Sequence, residues 1–495
     1  RIALARGGLA YRGRYMVRYK KSGRLLPCRE KKRKLVVIAL QTRLRRTDTD
    51  MTKGSVLGRL VAFAVPLLIG NIFQQLYNTV DSVVVGNFVG KEALAAVGSV
   101  APVVNMLIGF FNGFATGAGV IISRYYGAQQ KENVHIAVQT TIAMTILMSV
   151  VLSICGVLLT PALLRMMKTP EDVIAHSSEY LRIYFAGLSG LLLYNMGAGI
   201  LRAVGDTRRP LYFLIFSAVT NTVLDLLFVT VFHMGVAGVA IATILAQFAS
   251  AVLVMVVLTR STSDYRIVWR GMRLNKKMFG SICRLGFPAA VQLAVTSFSN
   301  IFVQSYINRF GADCMAGWTS HNKIDSFVLL PIMTISLAVT TFVGQNLGAG
   351  DQARARQGTR TALLLAEGVA AVLLVPLMLL SPQLISLFNQ EPEVLRYGTL
   401  FIRIVSPFYL VICINQVLSG SLRGAGDSRN SVLIILASFV VFRQIYLAIT
   451  YRVWGTVVAV ALGYPAGWVL CSVLLLCYYR SGKWKKASIF KEKTQ

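Results

Sequence analysis

Asn221 and Asp225 are the residues whose types and spacing most demand a chemical explanation. The stretch Ser217 to Val231 reads SAVTNTVLDLLFVTV and is almost wholly apolar apart from these two. No Lys or Arg lies between Leu211 and Thr259, so no cation nearby in sequence pairs with the acid. A carboxylate at the centre of a membrane helix costs roughly 2.5–3.5 kcal/mol on insertion scales and marks function by default. Residues four apart share a helix face, one turn from each other. An amide oxygen stacked on a carboxylate is half of a hard-cation site, or a proton carrier. A polar pair gluing two membrane helices together is the bland alternative.

Other polar groups lie inside apolar runs. The first run holds Pro66, Asn71, Gln74, Gln75, Asn78 and Asp81. Pro66 removes an internal hydrogen bond and permits a kink. Asn71, Gln74, Gln75 and Asn78 recur at three- and four-residue spacing, a stripe that must face protein or water. Asp81 falls near the outer end of that run, where simple exposure to solvent is the alternative to a role inside the membrane. Thr243 and Gln247 are one turn apart in the sixth run, and a membrane threonine usually bonds its own backbone four residues back. The eighth run holds His321, Lys323 and Asp325, and the ninth Glu367. His321 and Asp325 are four apart and are expected to hydrogen-bond, as a proton relay or as a polar pair lining a cavity. Glu367 is expected to reach Arg443 or water. Asn71, Gln74, Asn78, Gln247, His321 and Asp325 are the candidate substrate-cavity residues.

The elements that carry these groups are long apolar helices. Of 495 residues 55% are hydrophobic and only 14% charged, against about 25% charged in soluble domains. Twelve apolar runs are predicted: about 58–84, 93–122, 135–160, 175–203, 210–232, 235–258, 279–307, 313–343, 357–381, 394–422, 431–452 and 455–479. The net charge of +31 is not a nucleic-acid footprint, because sixteen Lys and Arg sit in residues 1–50 and most others in short loops and the C-terminal tail. Loop charge places both termini and the 260–277 connector in the cytoplasm, facing anionic lipid. The seven Cys are scattered and suggest neither a disulfide framework nor a zinc site. No HExxH, G-x-S-x-G or P-loop is present, so no enzyme is indicated.

The chain is internally duplicated. Leu201-Arg202 through Gly205-Asp206 matches Leu422-Arg423 through Gly426-Asp427; Gly90, Gly127 and Pro161 match Gly311, Gly348 and Pro382, all at an offset of 221. Six runs per copy make the repeat parallel. The expected organisation is a basic extension over 1–50, a six-helix lobe over 51–259, the connector, a second lobe over 278–480 and a basic tail over 481–495. The change of composition at Met51 leads us to expect that Met51 is the working start or that 1–50 is dispensable. Asp206 and Asp427 are expected to be capping or cytoplasmic gate residues, not substrate ligands. The acids are not duplicated: at this offset Asp81 falls on Phe302, Asn221 on Phe442 beside Arg443, and Asp225 on Tyr446.

Residues 51–480 resemble the multidrug and toxic compound extrusion (MATE) transporters. The resemblance is carried by PLLIGNIFQQLYNTVDSVVVGNFVGKEALAAVG (Pro66–Gly98), the two LRxxGD loops and FVGQNLGAG (Phe342–Gly350). It implies an all-α polytopic membrane protein, twelve transmembrane helices in two parallel-repeat six-helix lobes forming a V. It also implies a secondary active exporter of organic, often cationic, drugs or toxic metabolites in antiport with H⁺ or Na⁺. No cofactor, no nucleic acid and a monomer in the cell membrane are expected. In the DinF-like branch the coupling site lies in the N-terminal lobe, at positions matching Asp81, Asn221, Asp225 and Thr243, which would also be the metal ligands if the ion is Na⁺; the family's first-helix proline matches Pro66. The NorM-like acid of the seventh helix has no match, since that region reads Val295-Thr296-Ser297. A lipid-linked oligosaccharide flippase of the same superfamily and a non-transporting sensor or scaffold are the rival readings.

Overall fold

The computed structural model describes residues 50–487 apart from 168 and 170, and these belong to one compact unit. The expectations for 1–49 and the end of the tail lie outside the described residues. The described residues are helical, with no strand.

The first six spans are α1 (Val56–Val84), continued by a π-helical turn Val85–Val89; α2 (Lys91–Gly127); α3 (Lys131–Met166); α4 (Glu171–Ala186) with α5 (Leu188–Ala203); α6 (Arg208–Leu226), continued by a π turn Leu227–Val231; and α7 (Gly235–Arg260). Helices α4 and α5 make one span bent by 49° at Gly187, against which the Ile244 side chain packs. The second set is α8 (Lys276–Asn308), α9 (Ala312–Gly348), α10 (Gln352–Leu379), the short α11 (Ser381–Ser386), α12 (Pro392–Val405) running on into α13 (Tyr409–Gly424), α14 (Ser428–Leu436) joined by a π turn Ala437–Phe442 to α15 (Arg443–Val453), and α16 (Val457–Ala461) with α17 (Gly463–Arg480). A last short helix, α18, covers Trp484–Ala487. With the bent pair taken as one, twelve spans are long and apolar enough to cross a membrane.

Polar caps set the ends of these helices. Asn275, Asp351 and Asp427 accept from the backbone N–H three residues on, opening α8, α10 and α14. Asp206 accepts from the amides of Arg208 and Arg209 and pairs with the Arg209 guanidinium at 3.2 Å. Both loop acids therefore cap, as expected from their spacing.

The two sets of helices meet along α2 and α8. Gly113 and Gly117, four apart on α2, face Ala290 and Gly286, four apart on α8, so closely that an added Cβ would lie 2.5 and 2.6 Å from backbone nitrogen. Small residues at this spacing let membrane helices approach backbone to backbone. At the end of α2 the Gln345 side chain joins three segments: its amide donates to Ala203 O at 2.8 Å, and its oxygen accepts from the Met51 amide at 3.1 Å.

Prolines and glycines show that the repeat is not at one constant offset. Gly90 follows Pro66 by 24 positions, but Gly311 follows Pro288 by 23. The extra residue is accounted for by the π turn Val85–Val89, since a π bulge adds one residue to a helix and α8 has none. Ahead of that turn, α1 and α8 are therefore in register at 222. Asp81 corresponds to Val303, not to Phe302, and Asn78 corresponds to Asn300.

Candidate functional site

Helices α1 and α6 bring together the two acids that lie 144 positions apart in sequence. Asp81 sits just ahead of the first π turn and Asp225 just ahead of the second. Their carboxylates are direct side-chain neighbours. Asp225 and Asn221 are buried, 0% and 1% exposed. Asp81 Oδ1, both Asp225 oxygens and both Asn221 side-chain atoms are inaccessible and lack a hydrogen-bond partner. Native interiors leave few such atoms, and a cluster of five needs a reason. Among the described residues no Lys, Arg or His forms an ion pair with either acid.

Two tyrosines missed by the sequence reading lie near the pair, and a third lies behind them. Tyr77 and Tyr180 lie close enough to feel both carboxylates, and Tyr184 stacks on Tyr180 with centroids 6.2 Å apart. Spacing held the signal: Tyr77 is one turn before Asp81, and Tyr180 and Tyr184 share a face of α4. Thr243 is buried on α7, and its hydroxyl donates to Val239 O at 3.0 Å, the backbone bond expected of a membrane threonine. No hydrogen bond ties it to the acids or to Asn221; its oxygen keeps free lone pairs. Gln247, one turn on, lies against the Tyr184 hydroxyl. The donor set is all oxygen, suited to a proton or a hard cation. No cluster of three His, Cys, Asp or Glu occurs among the described residues.

The remaining candidates scatter. Pro66 is inside α1. Asn71 donates to Thr334 Oγ1 on α9 at 3.3 Å, which ties the two helix sets together. Gln74 and Asn78 are exposed. Asp325 accepts from the Tyr409 hydroxyl at 2.5 Å. The expected His321–Asp325 bond is not made: His321 packs beside the Trp318 and Phe401 rings, with centroids 5.2 and 6.2 Å away, and its Nδ1 is buried without a partner. Tyrosine reaches the acid first, from across the bundle. Of the two partners expected for Glu367, Arg443 bonds elsewhere, while Glu367 is half-buried near the Cys413 thiol and still reaches the surface.

At the corresponding place in the second set, the acids have become apolar. The π turn Ala437–Phe442 adds one residue between α14 and α15, which shifts this helix to an offset of 222 as well. Asn221 then corresponds to Arg443 and Asp225 to Leu447, correcting the Phe442 and Tyr446 equivalences. Packing agrees with that register. Val303 and Leu447, the counterparts of Asp81 and Asp225, lie in one buried cluster with Phe401, the counterpart of Tyr180.

Comparison with known proteins supports the same register. The MatE family model matches residues 66–227 and again 288–449, each end displaced by 222. The chain is 31% identical over 446 residues to "Probable multidrug resistance protein YpnP" of Bacillus subtilis (strain 168), covering 90% of this chain and 99% of that one. It is 27% identical to "Probable multidrug resistance protein NorM" of Thermotoga maritima, covering 87% and 93%. Among solved structures, an outward-facing multidrug resistance MATE family transporter of the MOP superfamily superposes with a TM-score of 0.83 at 23% identity, covering 89% and 99%. With its family model matched twice and a relative above 30% identity along nearly its whole length, the chain belongs to the MatE family.

Proposed function

We propose that this protein is a secondary active exporter of organic compounds, driven by H⁺ or Na⁺ taken at Asp81, Asn221 and Asp225 with Thr243 beside them. The observation that supports this reading is the set of five buried, unpartnered polar atoms on two helices of a MatE-family bundle. The relatives' names point to small drugs as cargo, and loop charge puts both termini and the connector on the cytoplasmic side.

The physics of the pair supplies the coupling. Two carboxylates side by side, away from water, repel when both are ionised. A proton on one, or a sodium ion held by both with the Asn221 and Thr243 oxygens, removes that repulsion and lets α1 close on α6. Pro66 lacks the N–H that would hold the turn before it, so α1 bends there at low cost. Bending changes the wall that α1 presents to the substrate, and the stripe Asn71, Gln74 and Asn78 moves with it. The loaded and empty sites then favour different accessibilities, which an antiporter requires. The membrane potential adds about 2.3 kcal/mol per charge per 100 mV to cation return.

Purified protein in liposomes tests this. A fluorescent organic cation should be expelled when a pH gradient or a sodium gradient is imposed alone, and the effective gradient names the ion. Expulsion that needs neither gradient would overturn the proposal.

A further inference from the structure

Arg443 is a buried cation without an acid. It is 3% exposed on α15. Its Nη2 donates to Ser299 Oγ and to Asn300 Oδ1, both at 2.8 Å on α8, and its guanidinium lies 4.7 Å from the centroid of the Tyr464 ring. Gln444 reinforces the joint by donating to the Ser299 carbonyl and hydroxyl at 3.0 and 2.9 Å. Nε is buried and unpartnered, and no carboxylate pairs with the group among the described residues. Asp325 lies near Tyr464, but its carboxylate is engaged by Tyr409. An unpaired buried guanidinium is expensive and needs a reason.

The repeat supplies one. In the 222 register Arg443 stands where Asn221 stands, Ser299 where Tyr77 stands, and Asn300 where Asn78 stands. The guanidinium thus joins α8 to α15 at the place where α1 and α6 face each other across the unpartnered acids. Two side-chain oxygens, of Ser299 and Asn300, hold a positive charge in the second lobe, and side-chain oxygens with no cation occupy the first. We infer that Arg443 is a tethered substitute for the exchangeable cation, holding the C-terminal lobe permanently in the loaded arrangement so that the N-terminal lobe alone responds to the ion; this rests on the cation-site reading of Asp81, Asn221 and Asp225. An arginine suits the task, because its charge is not lost at any physiological pH.

Charge and shape are separable by experiment on the full-length protein in liposomes. Arg443→Ala should lower gradient-driven efflux about tenfold, the equivalent of one charge-assisted hydrogen bond. Millimolar guanidinium should restore most of the loss and raise the melting temperature of the variant, with no effect on wild type. Urea, the neutral molecule of the same shape, should do neither. Should Arg443→Ala fail to insert, Arg443→Lys and Arg443→Met carry the test: Lys active and Met inactive supports a required charge. Rescue by urea equal to that by guanidinium, full efflux by Arg443→Ala without additive, or equal activity of the Lys and Met variants would overturn the inference. Asp225→Asn keeps the two readings apart: if it pumps normally the cation site itself is wrong, and if it is dead while Arg443→Met is normal only the substitution by Arg443 fails.

Discussion

The two lobes repeat one helical plan and treat the same place in it in opposite ways. Where α1 meets α6, Asp81, Asn221 and Asp225 leave five buried polar atoms unpartnered. Where α8 meets α15, Val303 and Leu447 pack with Phe401, and the single charge, on Arg443, has hydroxyl and amide partners. The first arrangement is poor for stability, since four oxygens and one amide nitrogen are buried without partners, and under the proposed function that cost is met when an ion binds. The second is close to an ordinary core with a fixed ion. Duplication therefore conserved the helix packing while the chemistry diverged, and the π turns shifted which residues face each other.

Copying the second lobe's solution into the first should break the comparison most severely. Asp225→Asn alone should cut coupled efflux at least ~100-fold, or about 2.7 kcal/mol. Removing a lipid-depth carboxylate should also favour insertion, by up to roughly 2.5–3.5 kcal/mol on insertion scales. Loss of transport with a raised melting temperature is the expected signature; loss of both would mean a structural acid. The double variant Asp81→Val with Asp225→Leu, which reproduces Val303 and Leu447, should be dead and more stable still. Asn221→Arg should place a tethered cation beside the acids and give a folded protein whose melting temperature no longer responds to H⁺ or Na⁺. Asp81→Asn should cost nearly as much efflux as Asp225→Asn, since the pair acts as a unit.

Much of this was readable in the sequence. Run length and hydropathy gave all twelve spans, because lipid leaves a helix no alternative way to satisfy its backbone. Asn221 and Asp225 stood out because no cation was near them in sequence. The caps at Asp206 and Asp427 and the Thr243 backbone bond followed from local spacing. What failed was longer in range or subtler in geometry. A constant offset hid the one-residue insertions at Val85–Val89 and Ala437–Phe442, and so misaligned Asp81, Asn221 and Asp225 with Phe302, Phe442 and Tyr446. The His321–Asp325 pair failed because Tyr409, 84 positions away, reaches the carboxylate instead. Tyr77 and Tyr180 carry no signal of their own in the sequence, because their nearness to both acids depends on how α1, α4 and α6 pack.

Asp325 sharpens the comparison from the other side, as a buried acid of the second lobe that has a partner. It is held by Tyr409 and backed by a run of aromatic rings, Tyr409 to Trp468 at 6.2 Å and Trp468 to Tyr464 at 6.1 Å. A satisfied acid on this lobe should attract cationic cargo without coupling it. Asp325→Asn should weaken export of organic cations about fivefold, near 1 kcal/mol, and of neutral compounds less. Efflux assays with matched charged and neutral dyes check this. Equal loss for every dye, with the ion response also gone, would move the coupling site to this lobe.

Thr243→Ala should give the smallest effect. The hydroxyl hydrogen is already committed to Val239 O, so only an oxygen lone pair is left to offer an ion. A neutral oxygen is a weaker ligand than a carboxylate, and its loss leaves Asp81, Asn221 and Asp225 in place. Removing a bond four residues back within its own helix also costs little, because such bonds compete with the helix ladder. Efflux at a saturating gradient should therefore fall only about twofold, or about 0.4 kcal/mol. The gradient needed for half-maximal rate should rise more if the ion is sodium, which uses every oxygen, than if it is a proton, which needs one carboxylate. Comparing that half-maximal point between wild type and Thr243→Ala, with each gradient imposed separately, measures how far the site extends onto α7. A variant as inactive as Asp225→Asn would mean that the hydroxyl is a principal ligand and that α7, not α1, closes the site.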